Sequence, residues 1–305
     1  MKVGIKVGFQ DGIHILKQSQ AEYCEVWFRL DWEEKYYPLF EYLNKNKIAF
    51  GLHFWAMVNG KYFPSLLNRN KNIAQETFVL IKQTIDIAYK WQAKYVNFHP
   101  ESYRLMLLNL DKSTMKVVDE NEPIDRDKSF QQLTYFLGKI KNYSEKKGIV
   151  SFIETVPKYS PSDYKDLELG RGKPQLSEGL ETEKYYQLAK LGHPICLDIA
   201  HTADQLIIQD REKLFNYLYK SAEKMIAAIG LLHINTIMPP FNGVDSHDGV
   251  LEEDFKKGVF PNKIQLIKLM SLFKNTNVWL IPEPPLGKMV ANYYALKEII
   301  MSISK

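Results

Sequence analysis

The sequence holds only two cysteines, Cys24 and Cys196, and both lie inside apolar runs. Two thiols cannot build a disulfide framework, so they read as small buried hydrophobes of a reduced compartment. No stretch approaches the roughly 18 uninterrupted apolar residues of a membrane helix. The opening "MKVGIKVGFQDG" is too polar for a signal peptide. A cytoplasmic protein with no membrane partner is expected. Low-complexity tracts and linkers are absent too, so one domain over 1–305 is expected. Charge is nearly balanced, with 40 basic and 36 acidic residues and a net of +4. That permits a nucleic-acid partner but lacks the basic stripe of a dedicated binder. Finally, no glycine-rich phosphate turn follows the first apolar run, which argues against an open dinucleotide-binding sheet.

What is present is a repeating alternation. Short apolar runs occur at 3–9, 23–28, 48–54, 95–100, 149–155, 194–200, 229–235 and 277–283. Runs of this length suit strands buried on both faces of a parallel sheet. Between them, segments such as "AQETFVLIKQTIDIAYKW" and "SFQQLTYFLGKIKNYSEKK" space their apolar residues at i, i+3, i+4 and i+7, as one helical face does. Eight strand–helix units predict an α/β fold, the (β/α)8 TIM barrel. The shortest crossover, near 11–20, carries the weakest helical pattern. Two connections are long, 101–127 and 155–181, and both follow strand C-termini. They should overhang the catalytic face of a barrel. Glu101, Arg104, Lys158 and Arg171 on them are candidate substrate contacts, as is Trp55 after the third strand.

Polar residues gather where the predicted strands end. His53, His99, Glu154, Asp198, His233 and Glu283 end six consecutive strands, with His201, Asp245 and His247 just beyond them. Five of the seven histidines are in this set; His14 and His193 read as surface or turn residues. Imidazole nitrogen and carboxylate oxygen are ligands for zinc and manganese. Nine such groups exceed the need of one ion and suit a cluster of two or three. Such a cluster can generate hydroxide and clamp both oxygens of a phosphate under attack.

This arrangement resembles the xylose-isomerase-like barrel superfamily, and most closely the endonuclease IV family, whose members cut DNA at abasic sites with three zinc ions. The matching motifs are His53, His99 in "VNFHP", Glu154 in "FIET", Asp198 and His201 in "CLDIAH", His233 in "LHIN", Asp245 and His247 in "VDSHDG", and Glu283 in "IPEP". The resemblance implies nine metal ligands, with Glu154 as the bridging carboxylate. The departures fall on DNA-reading parts. The segment after strand two, "WFRLDWEEKYY", is short and acidic; "HFWA" lacks the family's tyrosine; "HPES" stands for "HPGS", and "DSH" for "DRH".

Two activities are therefore expected. The first is a metal-dependent, tri-zinc hydrolase of phosphoric esters, DNA among them. The alternative is a sugar isomerase or epimerase with one manganese or magnesium ion. By resemblance it would use Glu154, Asp198, His233 and Glu283, with Glu154 and Glu283 exchanging a proton at carbon. A barrel kept only as a binding module is the least consistent with the complete ligand set.

Overall fold

The computed structural model describes residues 1–110, 114–161, 174–243, 245–285 and 287–304. All eight predicted runs form strands. The first is split at Gly4 into β1 (Lys2–Val3) and β2 (Ile5–Val7). It is followed by β3 (Tyr23–Arg29), β4 (Ala49–Trp55) and β5 (Tyr95–Phe98). The connection after β5 holds an antiparallel hairpin, β6 (Met106–Asn109) and β7 (Thr114–Val117). Next come β8 (Val150–Glu154) and a second hairpin, β9 (Tyr159–Pro161) and β10 (Pro174–Leu176). The barrel is completed by β11 (Ile195–Asp198), β12 (Ile229–Ile234) and β13 (Trp279–Pro282). The sequence places the two long connections but not the hairpins inside them.

The main sheet runs β1-β13-β12-β11-β8-β5-β4-β3-β2, with its strands parallel. Its two edges are the halves of one strand, so the sheet closes on itself. Gly4 sits at the seam. Its amide donates to the Leu280 carbonyl at 2.9 Å, while Ile5 is already in register with Cys24. A Cβ there would lie 2.7 Å from Ile281 Cδ1 and 3.1 Å from the Tyr23 carbonyl oxygen, so only glycine lets the strand pass between both neighbours.

Helices follow the strands, including a short one at Gly12–Ser19. Lys71–Lys90 shows the local logic. Asn70 caps it by accepting from the Asn72 amide, and Ile73, Ala74, Thr77, Ile81, Thr84, Ile85 and Ala88 form its buried stripe. The larger core lies between the helices and the sheet.

A second, smaller core fills the inside of the barrel with Tyr95, Phe152, Cys196, Leu231, Trp279 and Ile281. These are inward-facing positions, and side chains alternate faces along a strand. Two residues further along, the same faces present Asn97, Glu154, Asp198, His233 and Glu283. An apolar plug thus underlies a polar layer. Both cysteines are free and buried, as their apolar context implied. His14 is exposed on its helix, whereas His193, read as a surface or turn residue, is buried after the helix that precedes β11. Among the described residues, no helix is long and apolar enough to cross a membrane.

Candidate metal centre

The nine residues read from the strand ends converge on one face of the barrel. Glu154, at the end of β8, is the hub. Its Oε1 lies 3.0 Å from His233 Nδ1, 3.2 Å from His99 Nε2 and 3.4 Å from His201 Nδ1. Its Oε2 lies 3.6 Å from His53 Nε2 and also accepts from the Asn97 side-chain amide.

Three ligand groups share this hub or its neighbours. In the first, ligand atoms of His53, His99 and Glu154 lie within 4.8 Å of one another. The second surrounds His233 Nδ1, with Glu154 at 3.0 Å, Glu283 at 3.1 Å and Asp198 at 3.7 Å. The third brings Asp198, His201 and His247 within 4.8 Å, and Asp245 Oδ2 lies 2.6 Å from His247 Nε2 and 3.3 Å from His201 Nε2. Imidazole and carboxylate donors in groups of three and four, buried except for the half-buried His99 and His247, fit a divalent cation. Cys196 lies beside Glu154 and His233, but burial pushes its thiol well above the usual range, which disfavours the thiolate a metal would need.

Surrounding groups orient these side chains. His201 Nδ1 donates to the Thr155 carbonyl oxygen at 2.9 Å, which leaves Nε2 to face Asp245 and His247. Asn235 donates to Asp198 Oδ2 at 2.9 Å. Asp198 also caps the short helix Ile199–Ala203, its Oδ1 accepting from the His201 amide at 2.8 Å. This residue is therefore both a cap and a candidate ligand. Glu101, expected to touch substrate, turns instead to His99, whose Nδ1 donates to it at 3.1 Å. Its φ of +65° is left-handed, an uncommon conformation for a side-chain-bearing residue. The backbone cost there, roughly 1 kcal/mol, accompanies a carboxylate that fixes a histidine.

Two charged residues escape a reading of the sequence. Lys6 of β2 and Glu25 of β3 stand in register inside the barrel. Lys6 Nζ donates to His53 Nδ1 at 2.7 Å, lies 3.2 Å from Glu25 Oε1 and pairs with Glu283. Glu25 reaches His233 Nε2 at 2.9 Å and accepts from the Tyr95 hydroxyl at 3.1 Å. The available signal is parity, because each charge interrupts an apolar run at an inward-facing position.

The electrostatics follow from crowding acids and imidazoles together. Burial raises the Glu154 carboxyl, but His233, His99 and His53 outweigh it and hold it well below its usual value. Glu283 is likewise lowered to about 2: burial opposes ionisation, while His233 and Lys6 favour it. Burial depresses His99, yet Glu154 and Glu101 raise it to about 9. His247 is raised to about 9 in the same way, against burial, by Asp245. Of the histidines in the centre, His53 alone falls, from burial and the neighbouring Lys6 ammonium.

A cavity of about 510 Å3 opens above these groups. Phe9, Trp27, Phe54, Trp55 and Phe63 wall it. Trp27 is 50% exposed although it lies mid-strand, because it faces this space. Trp55, a sequence candidate, is in the wall and is braced from behind. The Arg29 guanidinium lies 4.6 Å from its ring and 3.9 Å from that of Trp32, and is forked onto Asp31.

The other expected contacts lie elsewhere. Arg104 is committed to Glu178 at 2.9 Å and to the carbonyl oxygens of Asp119 and Glu122 at 2.7 and 2.8 Å. Arg126 also pairs with Glu178. These bonds pin the connection after β5 to the one after β8. Lys158 contributes its backbone carbonyl to the same junction, accepting from the Glu178 amide, and is not part of the described cavity wall. Arg171 lies outside the described residues. Replacing Glu178 by alanine strips Arg104 of its carboxylate and leaves Arg126 only Glu181. The expected cost is on the order of 2 kcal/mol, a fall of roughly 4–8 °C in Tm by thermal denaturation, with metal content unchanged. An unshifted Tm would show that the junction carries no stability.

The chain matches no protein-family model, and no curated protein matches its sequence. Solved structures do share its fold. A D-tagatose 3-epimerase-like protein superposes with a TM-score of 0.69 at 13% identity, covering 100% of this chain and 98% of the other. A 3-keto-D-glucoside 4-epimerase from E. coli gives 0.62 at 11%, covering 99% of each. Endonuclease IV from Thermus thermophilus gives 0.58 at 13%, covering 99% of this chain and 100% of the other. The fold is thus the (β/α)8 barrel, as the eight strand–helix units implied.

Proposed function

We propose that this chain is a metal-dependent isomerase or epimerase of a small sugar or sugar derivative. The observation that carries the reading is the cavity. Its floor holds two carboxylates, Glu154 and Glu283, within 3.0 and 3.1 Å of one His233 nitrogen, and its walls are aromatic. Its volume of about 510 Å3 lies within the ~300–1,000 Å3 typical of small-molecule sites. Aromatic rings suit the apolar face of a sugar. A duplex asks for an open basic groove, and the described wall contains no arginine.

Glu154, Asp198, His233 and Glu283 would hold one divalent ion, and their oxygen-rich set suits manganese or magnesium. The bound ion would supply Lewis acidity toward a carbonyl or hydroxyl oxygen of the substrate. The chain's own residues do the rest. Glu154 is held ionised by its histidines, the state a base needs to take a proton from carbon. Glu154 can return that proton to the neighbouring carbon, which completes an isomerisation. For an epimerisation Glu283, which comes from another strand end and is itself ionised, first takes a proton from water and then delivers it to the opposite face. Trp27, Trp55 and Phe63 shield the exchange from water. The compared structures named as sugar epimerases support this reading.

The second reading is the tri-zinc hydrolysis of a phosphoric ester, DNA included. The third ligand group, His201, Asp245 and His247, favours it, because one-ion sugar chemistry leaves that group unused. His247→Ala separates the two readings. An epimerase is expected to keep activity within about 10-fold, whereas a hydrolase should lose at least about 100-fold. The wild type would be assayed with manganese on free ketoses and keto-glycosides, and with zinc on bis(p-nitrophenyl) phosphate and abasic duplex. Ester cleavage by a three-zinc protein that epimerises none of the sugars would overturn the first reading.

A further inference from the structure

We infer that Lys6 limits the number of metal ions this centre accepts, its ammonium acting as the resident cation of a fourth ligand cluster. The inference rests on the reading of the site as a metal centre. Ligand atoms of Glu25, His53, His233 and Glu283 lie within 4.8 Å of one another, all buried. Lys6 Nζ lies against three of the four: His53 Nδ1 at 2.7 Å, Glu25 Oε1 at 3.2 Å, and Glu283. The place a metal would take in that cluster is thus filled by a cation covalently tied to β2.

Two consequences follow from elementary chemistry. First, the ammonium has three donors and no acceptor, so its 2.7 Å contact engages the His53 Nδ1 lone pair that a metal in this cluster would need. Secondly, Glu25, Glu154, Asp198 and Glu283 are all buried in this small volume. Without Lys6 their charge would be balanced only by histidines or by a further ion. The ammonium occupies the site at unit stoichiometry and needs no path of entry. It leaves the cluster around His233 Nδ1 as the primary metal position, in keeping with a one-ion enzyme.

Lys6→Met removes the charge while keeping the length of the side chain. The test compares wild type, Lys6→Met and Lys6→Arg after dialysis against excess Mn2+, and in parallel Zn2+. Bound metal per chain would be counted by plasma mass spectrometry and Tm measured with and without the ion. Lys6→Met is expected to bind one more ion per chain than wild type, with a larger metal-dependent rise in Tm; Lys6→Arg should match the wild-type count. The inference is overturned if folded Lys6→Met binds the wild-type number. It is equally overturned if Lys6→Met stays unfolded in saturating metal, because then no ion replaces the ammonium. A folded wild type that binds no metal gives a different signature and removes the metal-centre reading itself.

Discussion

Glu154→Gln is expected to abolish tight metal binding and to lower kcat/KM on the order of 10³-fold, whichever of the two chemistries the chain performs. The reason is local. The two Glu154 oxygens stand within 3.6 Å of four histidines, His53, His99, His201 and His233, drawn from three strand ends and a short helix. Each ligand group either contains this carboxylate or abuts it. Glutamine keeps the shape and one oxygen but replaces the other with an amide that donates hydrogen bonds. It therefore presents the wrong polarity to the Asn97 amide, which donates to Oε2. Metal content by plasma mass spectrometry and turnover on the confirmed substrate check the result. A variant that keeps its metal and stays within 10-fold of wild type would show that Glu154 is not the hub.

Glu25→Ala should produce the largest loss of stability, about 3–5 kcal/mol, because it removes one of the two carboxylates that balance the buried Lys6 ammonium and a partner of His233 and His53. Glu25 is fully buried and touches Lys6 at 3.2 Å, His233 at 2.9 Å, His53 at 3.3 Å and the Tyr95 hydroxyl at 3.1 Å. Alanine satisfies none of them and opens a cavity above the apolar plug. Glu25→Gln retains shape and an acceptor, and should cost less than half as much. Urea unfolding of the metal-free proteins measures both. Equal midpoints for Glu25→Ala and wild type would show that this charge cluster contributes nothing to the fold.

The eight strands are legible in the sequence because continuous apolar runs contrast with helical spacing. Of the candidate ligands, His201, Asp245 and His247 lie beyond the ends of apolar runs; the other six are legible because each breaks such a run at its C-terminal end, as His99 does in "VNFHP". Lys6 and Glu25 are not, because a single charge inside a run gains meaning only from the register that pairs it with its opposite. That Arg104 is bonded to Glu178 is not legible either, because the two lie 74 positions apart. Nor is the direction of Glu101 toward His99, because it depends on a left-handed backbone that residue type does not encode. Trp55 does stand in the cavity wall, but its brace on Arg29 emerges only once β3 and β4 lie side by side.

The split first strand has one more consequence. Lys6 and Glu283, which touch, are separated by 277 positions, and the strands that carry them meet at the Gly4 seam. The centre is therefore completed only when the two far ends of the ring join. A chain folded through seven strands has its hub but not its last wall. Any ion that needs Glu283 recognises the closed ring alone, and it stabilises that state by an amount that grows as the logarithm of its concentration. Ion affinity thus doubles as a gauge of whether the circle has shut.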